Sequence, residues 1–371
     1  MERPSFDRFF QSAPPDVDVD AIRREWLALQ PSSDASAGPA YRIADRHLPV
    51  PVWARRRFTE DGRQAWRVLE RDVPAIPPRR AFCIYVHIPY CSTRCAFCDC
   101  YSFKLGSRRQ EHIARYGDLL DLEIRSWAGL GALSGRPLST VHLGGGTPTV
   151  LGEEPLERLV LSLRSRFPDG PETEWALESS IADLSGSMLR YLDMLGFKRL
   201  HVGVQSLDAT IRSRIGRQAD SAEVLDRLAA ALGVGWTVSV DLIYGLPGQT
   251  LESLLRDIRT LAGMGIHGFS MYELQRSRRN RRFVRESGLE RQDRTERYWM
   301  AQACGQLLAS LGFPKTLFNH FAEPKDRNLY FTFPARDEDL LALGAIADGS
   351  FGNYHYRHAE YAAYCRAAVE H

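Results

Sequence analysis

The sequence predicts an α/β fold: an open, partial (β/α)6 barrel with an N-terminal extension and a short C-terminal α+β tail. Three observations predict it. From about Ala81, short apolar runs alternate with longer amphipathic ones, the pattern of parallel βαβ units. Six strand runs occur, enough for a partial barrel and too few for a closed eight-stranded one. The residues able to do chemistry fall at or just after the ends of those runs, where parallel α/β folds build their sites.

Composition bounds the rest. The chain has 371 residues, room for one large domain with extensions or for two. Its 44% hydrophobic and 25% charged residues are the balance of a soluble globular protein. A formal net charge of +2 gives no electrostatic case for nucleic acid or for an acidic membrane surface. No apolar run reaches the roughly 18 residues of a membrane-spanning helix. The opening MERPSFDRFFQ lacks an apolar signal core. Cysteines kept as free thiols need a reducing compartment, so a cytoplasmic location is expected.

Residues 1–80 read as the N-terminal extension. They are rich in Pro, Arg and Asp, with one helix around Ala21–Gln30. The stretch from Pro49 to Arg80 reads as irregular or strand-bearing, closed by a Pro77–Pro78 linker. Residues 81–290 read as the barrel. Its strand runs are 82–88, 139–145, 174–179, 199–205, 236–245 and 267–274. Helical patterns lie at 109–130, 153–166, 185–196, 208–232 and 250–264. After Glu273 comes a basic stretch, QRSRRNRRFVR. It reads either as a patch for a phosphate or carboxylate partner or as a solvated face. Residues 291–371 read as a helix over Arg291–Leu311 and an aromatic, Gly-rich tail expected to pack across the barrel mouth.

Cys91, Cys95 and Cys98 stand at C-x3-C-x2-C spacing in HIPYCSTRCAFCDCYSF. Three thiolates would fill three irons of a [4Fe–4S] cluster and leave the fourth open. An open position marks a catalytic metal site rather than a structural one. A zinc site would need a fourth ligand, from Cys100 or His87, and lacks the usual second ligand pair. A disulfide would use only two of the three. Cys83, Cys304 and Cys365 read as core or surface residues. The run HLGGGTPT follows the second strand. Glycines let backbone approach a ligand, successive N–H groups can receive a carboxylate or carbonyl oxygen, and Thr147 and Pro148 would fix the loop. A plain tight turn is the bland alternative.

The strings YVHIPYCSTRCAFCDC, HLGGGTPT, ALESS, GVQSLDATIRSRIGRQ and VDLIYGLPGQT, with LLALGAIADGSFGNYHYR in the tail, stand in this order. Together they resemble the oxygen-independent coproporphyrinogen III oxidase-like branch of the radical S-adenosylmethionine (SAM) enzymes. The resemblance implies a radical SAM barrel over 81–275, a [4Fe–4S] cluster on Cys91, Cys95 and Cys98, and SAM on the open iron. It places Tyr85 beside that SAM and the Phe97 backbone near its adenine. Gly145, Gly146 and Thr147 would contact polar groups of SAM. Glu178, Gln205, Arg217 and Asp241 match the polar SAM-binding positions. Taken singly, these residues read as strand-end caps or a surface ion pair. Ile243 and the segment Met271–Leu274 fall where the branch holds a second SAM. An electron donor such as a flavodoxin or ferredoxin and a small-molecule substrate are implied.

Coproporphyrinogen dehydrogenases and the heme chaperones of this branch carry a helical domain beyond the LGAIADGSF-like motif. Here 20 residues follow that motif, so the domain is expected to be absent or truncated. The subgroup then expected is the class C methyltransferases and cyclopropanases. These use two SAM molecules, and a SAM-methylene radical adds to an sp2 carbon of a natural-product or aromatic substrate. The alternatives are a tetrapyrrole enzyme (coproporphyrinogen decarboxylation or anaerobic heme ring opening) and a heme-binding chaperone. Cys100, Glu273, His320, Tyr354 and His355 are the candidates for catalytic side chains, though a lone histidine is more often structural. The extension could be a lid or a docking surface for a partner tailoring enzyme.

Overall fold

The computed structural model describes residues 5–29, 62–75, 80–130, 133, 135–167, 169–289, 294–336, 338–351 and 354–367. The N-terminal extension supplies α1 (Phe6–Phe9), α2 (Val19–Ala28) and α3 (Gly62–Asp72). α2 is the helix expected around Ala21–Gln30. Asp18 caps it by accepting from the Ala21 N–H at 2.8 Å. Within the stretch Pro49–Arg80, which reads as irregular or strand-bearing, residues 62–75 are helical. Trp66, Leu69 and Val73 are spaced for one helix face, and Trp66 packs edge-on against Trp127, centroids 5.2 Å apart. Residues 30–61 and the Pro77–Pro78 linker lie outside the described residues. Phe6 and Trp26 pack on Trp299, with centroids 5.2 and 5.6 Å away, so the described helices of the extension share the main core.

β1 (Phe82–Ile88) is buried along its whole length, as a strand covered on both faces must be. The cysteine segment forms a small parallel pair beside it, β2 (Tyr90–Cys91) and β3 (Phe103–Lys104). Then come β4 (Leu138–Gly145), β5 (Glu174–Ser180), β6 (Arg199–Gln205), β7 (Thr237–Tyr244) and β8 (Gly268–Glu273). From β1 and β4 onward, each is parallel to its predecessor in the sheet. All six expected strands are present.

The crossovers are helical. α4 (Arg109–Ala128) buries Ile113, Tyr116, Leu120, Ile124 and Trp127, a 3- to 4-residue repeat that makes one apolar stripe. α5 (Glu153–Arg166) and α6 (Gly186–Met194) follow. The pattern at 208–232 is two helices rather than one, α7 (Ala209–Arg214) and α8 (Ser221–Gly233). Asp208 and Asp220 each cap a start, and Gly216, at φ 78°, turns the chain between them. α9 (Leu251–Gly263) opens on a Thr250–Ser253 capping box. α10 (Arg281–Glu286) carries part of the basic run, and α11 (Arg294–Ser310) lies against β7 and β8.

The tail departs from expectation. Most of it extends the sheet instead of crossing the mouth. β9 (Lys315–Leu317) and β10 (His320–Ala322) add antiparallel strands beyond β8. α12 (Leu329–Ala335) lies against β1 and β4. β11 (Asp339–Leu343) runs parallel beside β1, followed by antiparallel β12 (Asp348–Phe351) and β13 (Tyr354–Arg357). α13 (Tyr361–Ala367) packs Tyr361 on Tyr116, centroids 5.9 Å apart. The full order is β13-β12-β11-β1-β4-β5-β6-β7-β8-β10-β9. An open parallel sheet leaves unpaired N–H and C=O groups on both edges. The run DLLAL, buried throughout, satisfies one edge. Among the described residues, no helix is long and apolar enough to cross a membrane.

Candidate active site

The side chains of alternate strand residues divide into an outer set under the helices and an inner set facing the barrel lumen. Ile84, Val86, Val141, Leu143, Leu177, Val202 and Val240 are outer. Tyr85, His142, Glu178, His201, Gln205 and Asp241 alternate with them along the strands and are inner. The cysteine loop stands at the carboxyl end of β1. The Phe103 N–H donates to Pro89 O at 2.7 Å and the Leu105 N–H to Cys91 O at 3.1 Å, closing the loop. The Ala96 N–H donates to Ile215 O at 3.2 Å, tying it to the turn after α7. All seven cysteines are free thiols. Cys91, Cys95 and Cys98 are half-buried, and Cys100 is exposed.

Burial pushes the Cys91 and Cys95 thiols up, with Arg217 opposing it at Cys95. The hydrogen bond from Cys100 brings the Cys98 thiol down to about 6. Among the described residues, no three His, Cys, Asp or Glu side chains converge as they would on a single ion. A four-iron cubane asks instead for thiolates spread around a larger body.

The glycine loop closes onto this segment. Gly146 N–H donates to Ile88 O and Thr147 N–H to Tyr90 O, both at 2.7 Å. Thr147 Oγ1 lies 3.6 Å from Cys91 Sγ. Gly145 has φ 105°, a conformation that favours glycine, and a Cβ there would collide with the His87 ring. A Cβ on Gly146 would strike Tyr90 O. The sequence suggested that these N–H groups receive a carboxylate or carbonyl oxygen, and within the chain they do: Gly145 N–H donates to Glu178 Oε2 at 3.1 Å and the other two bond carbonyls. The loop positions Glu178 and Cys91.

Glu178 also accepts from His142 Nε2 at 3.1 Å. Burial pushes its carboxyl up, but the His142 hydrogen bond, the nearby histidines and the Gly145 N–H outweigh this and hold it at about 2. His142 is pushed down by burial, against Glu178, and donates as a neutral ring. Opposite stands His201, whose Nε2 donates to Asp241 and whose Nδ1 meets Ser239 Oγ at 2.7 Å. Burial lowers His201, but Asp241 outweighs it and the net shift is upward. Gln205 has φ 72°, a strained conformation costing of order 1–3 kcal/mol in a non-glycine residue. Among the described residues, its buried Oε1 and the buried Nε of Arg217 have no hydrogen-bond partner. Buried polar atoms without partners point to an absent ligand or water. Free thiols, an anionic carboxylate and these orphaned groups form the donor set that a cluster with bound SAM needs.

Tyr85 hydrogen-bonds His87 Nδ1 at 3.0 Å. Tyr330 of α12 lies across Tyr85 and His142, with centroids 4.5 Å away at 16° and 18°. Phe97 and Ile243 share a side cluster with Ile215 and Leu274, and the Arg217 guanidinium sits 5.8 Å from the Phe97 ring centroid. Met271 belongs to the main core instead, because it is an outer residue of β8.

Of the expected catalytic residues, Glu273 and His355 lie away from the lumen and His320 is already engaged within it. Glu273 has the outer parity of Phe269 and Met271, and its carboxylate pairs with Arg297 Nη1 of α11 at 2.8 Å, nearly dry. His320 is inside but engaged, with Nδ1 at 2.9 Å from Ser270 Oγ and Nε2 at 2.9 Å from Asp326 Oδ2. His355 lies on the edge strand, its Nε2 3.7 Å from Asp348, which also holds Arg357. Tyr354 opens β13, and its side chain lies outside the described residues. Cys100 stays beside Cys98.

Sequence reasoning missed His142, His201 and Tyr330 as inner groups, and missed Arg199, which donates to Asp326 Oδ1 at 2.9 Å. Strand parity carried the signal for the first two: Arg199, His201 and Gln205 alternate with Leu200, Val202 and Val204. Tyr330 had none, since its helix reaches the lumen only through long-range packing.

Known proteins compare closely with this architecture. Residues 85–261 match the Radical SAM superfamily. That match spans 177 of the 371 residues, and a [4Fe–4S] cluster and SAM are the cofactors of the matched superfamily. The chain is 31% identical over 313 residues to the oxygen-independent coproporphyrinogen III oxidase of Escherichia coli, covering 80% of this chain and 66% of that one. It is 27% identical over 335 residues to the anaerobilin synthase of Escherichia coli O157:H7, covering 88% and 70%. It is 34% identical over 193 residues to the heme chaperone HemW of Bacillus subtilis, covering 51% and 49%. The solved structure of the Escherichia coli coproporphyrinogen III oxidase matches with a TM-score of 0.71 at 26% identity, over 82% of this chain and 72% of that one. The matched stretch is just under two thirds of that oxidase sequence.

Proposed function

We propose that this protein is a radical SAM enzyme acting on a tetrapyrrole, by oxidative decarboxylation of a propionate side chain or by ring opening. The functions of the compared relatives support the tetrapyrrole reading over the methyl transfer expected from the sequence. The observation that carries it is the aromatic surface in the lumen. Tyr330 lies nearly parallel to Tyr85 and His142 and is partly buried. The face of Tyr330 turned away from Tyr85 and His142 suits a planar ring by offset stacking, worth about 0.5–1.5 kcal/mol per pair beyond area burial.

When bound, the cluster and SAM supply a 5′-deoxyadenosyl radical able to take a hydrogen atom from an unactivated carbon. Cys91, Cys95 and Cys98 would hold the cluster. Arg217, through its unsatisfied Nε, would receive the SAM carboxylate. Glu178, ionised at neutral pH, and Asp241 would accept from its amino and ribose hydroxyl groups. His142 and Gly145 fix Glu178, and His201 fixes Asp241. Gly145→Ala should therefore weaken SAM binding at least about tenfold, or ~1.4 kcal/mol, besides its cost in strain. Calorimetric titration of the reconstituted variant would read this, and unchanged affinity would show that the glycine loop does not position Glu178 for SAM.

The test of function is anaerobic reaction of the reconstituted protein with reductant and methyl-trideuterated SAM, with coproporphyrinogen III and separately with heme. Unlabelled 5′-deoxyadenosine that depends on the tetrapyrrole is the expected result. One deuterium in it would mean that a second SAM methyl is the hydrogen source, and the class C reading would replace this one. No 5′-deoxyadenosine, with stoichiometric heme binding and an intact cluster, would leave a chaperone.

A further inference from the structure

The basic run after β8 plays no part in the site above. Between Gln275 and Glu286 it holds six arginines against one glutamate, a net +5, whereas the whole chain carries only +2. The rest of the chain therefore sums to −3, and the positive charge is concentrated here. Arg278, Arg279, Arg281, Arg282 and Arg285 are exposed. Arg282 is engaged by Glu286 at 2.7 Å. Arg278, Arg281 and Arg285 make no side-chain hydrogen bond or ion pair among the described residues.

This segment is fastened to the cysteine loop. The Asn280 side chain, 2% exposed, donates to Phe97 O at 2.7 Å and to Gln275 O at 2.6 Å. Arg279 Nη1 donates to Cys100 O at 3.0 Å, and its guanidinium lies 4.7 Å from the Tyr101 ring centroid. Arg94 of the loop reaches Arg279 O at 3.5 Å. Val284 of α10 packs with Phe97 and Ile215. The arginines and the cysteine loop thus form one continuous surface, on which Cys100 and the 40%-exposed Phe103 face solvent.

We propose that this surface docks a small acidic electron-carrier protein that reduces the cluster. The inference rests on the cysteine triad holding the cluster, and it is independent of the tetrapyrrole reading. An electron enters most readily where the ligand loop meets solvent. Arginine with an exposed aromatic is the composition of a recognition surface, and a field of one sign steers an oppositely charged partner. A small carboxylate substrate would instead call for a concave, buried arginine site, and these arginines are exposed around a short helix. In the step, one electron leaves the reduced carrier and enters the cluster. No atom is transferred.

The probe is a flavodoxin held in its hydroquinone form, mixed with cluster-loaded protein while the visible absorption of the cluster is followed. Arg281→Glu with Arg285→Glu should slow reduction by about tenfold or more at low salt. Reduction by photoreduced deazaflavin, a small neutral donor, should stay unchanged, and the corresponding Lys pair should retain the wild-type rate. The wild-type rate should itself fall steeply as salt contracts the Debye length from about 30 Å to about 3 Å, a measurement that needs no variant. Equal flavodoxin rates in wild type and the Glu pair, or a salt-insensitive wild-type rate, would overturn the proposal. So would an unchanged carrier rate accompanied by weaker tetrapyrrole binding, which would assign the arginines to substrate.

Discussion

Cys98→Ser abolishes reductive SAM cleavage, by at least about a thousandfold, while Cys100→Ser leaves the bound iron unchanged: this contrast is the expected result of separating the two thiols. Each thiolate of a site-differentiated cluster serves one iron, and a serine hydroxyl is a poor replacement because it stays protonated at neutral pH. The radical chemistry belongs to the cofactor, and no side chain of the chain can supply it. Cys98 is half-buried at the foot of the loop and hydrogen-bonded through its N–H to Cys95 O at 3.3 Å. Cys100 lies two residues on, exposed, with its carbonyl held by Arg279. Iron and sulfide per chain, with 5′-deoxyadenosine formation, check both variants. If Cys100→Ser loses iron as fully as Cys98→Ser, Cys100 is a ligand and the three-thiol reading fails.

The parts of the fold legible in the sequence are those set by local pattern. Runs such as FCIYVHI and TVSVDLIY are β-branched and apolar, and each folds as the expected buried strand. The helical pattern at 208–232 was misleading because both halves have helical periodicity. Only the pairing of Asp220 with a positive-φ Gly216 marks the break, and it leaves Arg217 in a loop beside the cysteines. DLLAL carries no sign of its place in the barrel sheet, because its partner β1 is some 250 residues away in sequence and long-range pairing leaves no local trace.

Parity explains the hits and misses at the site. Glu178, Gln205 and Asp241 have inner parity on their strands, and Glu273 has outer parity on β8, a distinction the period of two could have supplied from the sequence. The engagement of His320 could not be read in this way, since its partner Asp326 follows β10 in a loop.

That buried network carries the largest expected effect on stability. Arg199 and Asp326 have side chains 1% and 0% exposed and lie 2.9 Å apart. Arg199 also donates to Ser239 Oγ at 3.0 Å, and Asp326 accepts from His320. Asp326→Ala should cost about 3–5 kcal/mol, because it leaves a buried guanidinium without its counter-charge. Burial pushes the Asp326 carboxyl up, but Arg199 and His320 outweigh it and hold it far below the usual range. A depressed folded pKa gives stability that is complete above the unfolded value, about 3.9, and is lost only as pH falls toward the folded one. The difference between wild type and Asp326→Ala in urea unfolding should therefore be flat above about pH 7, and should widen as pH falls through the unfolded histidine value of about 6.5, because Asp326 eases protonation of the buried His320. Arg199→Met combined with Asp326→Leu should recover much of the loss, since a buried pair replaced by apolar groups of similar volume is often neutral. His320 and Ser239 would each lose a partner in that double variant, which limits the recovery by about 1–3 kcal/mol. A single-variant cost below about 1 kcal/mol would mean that water reaches the pair, and the reading of Arg199 and Asp326 as a buried pair would have to be abandoned.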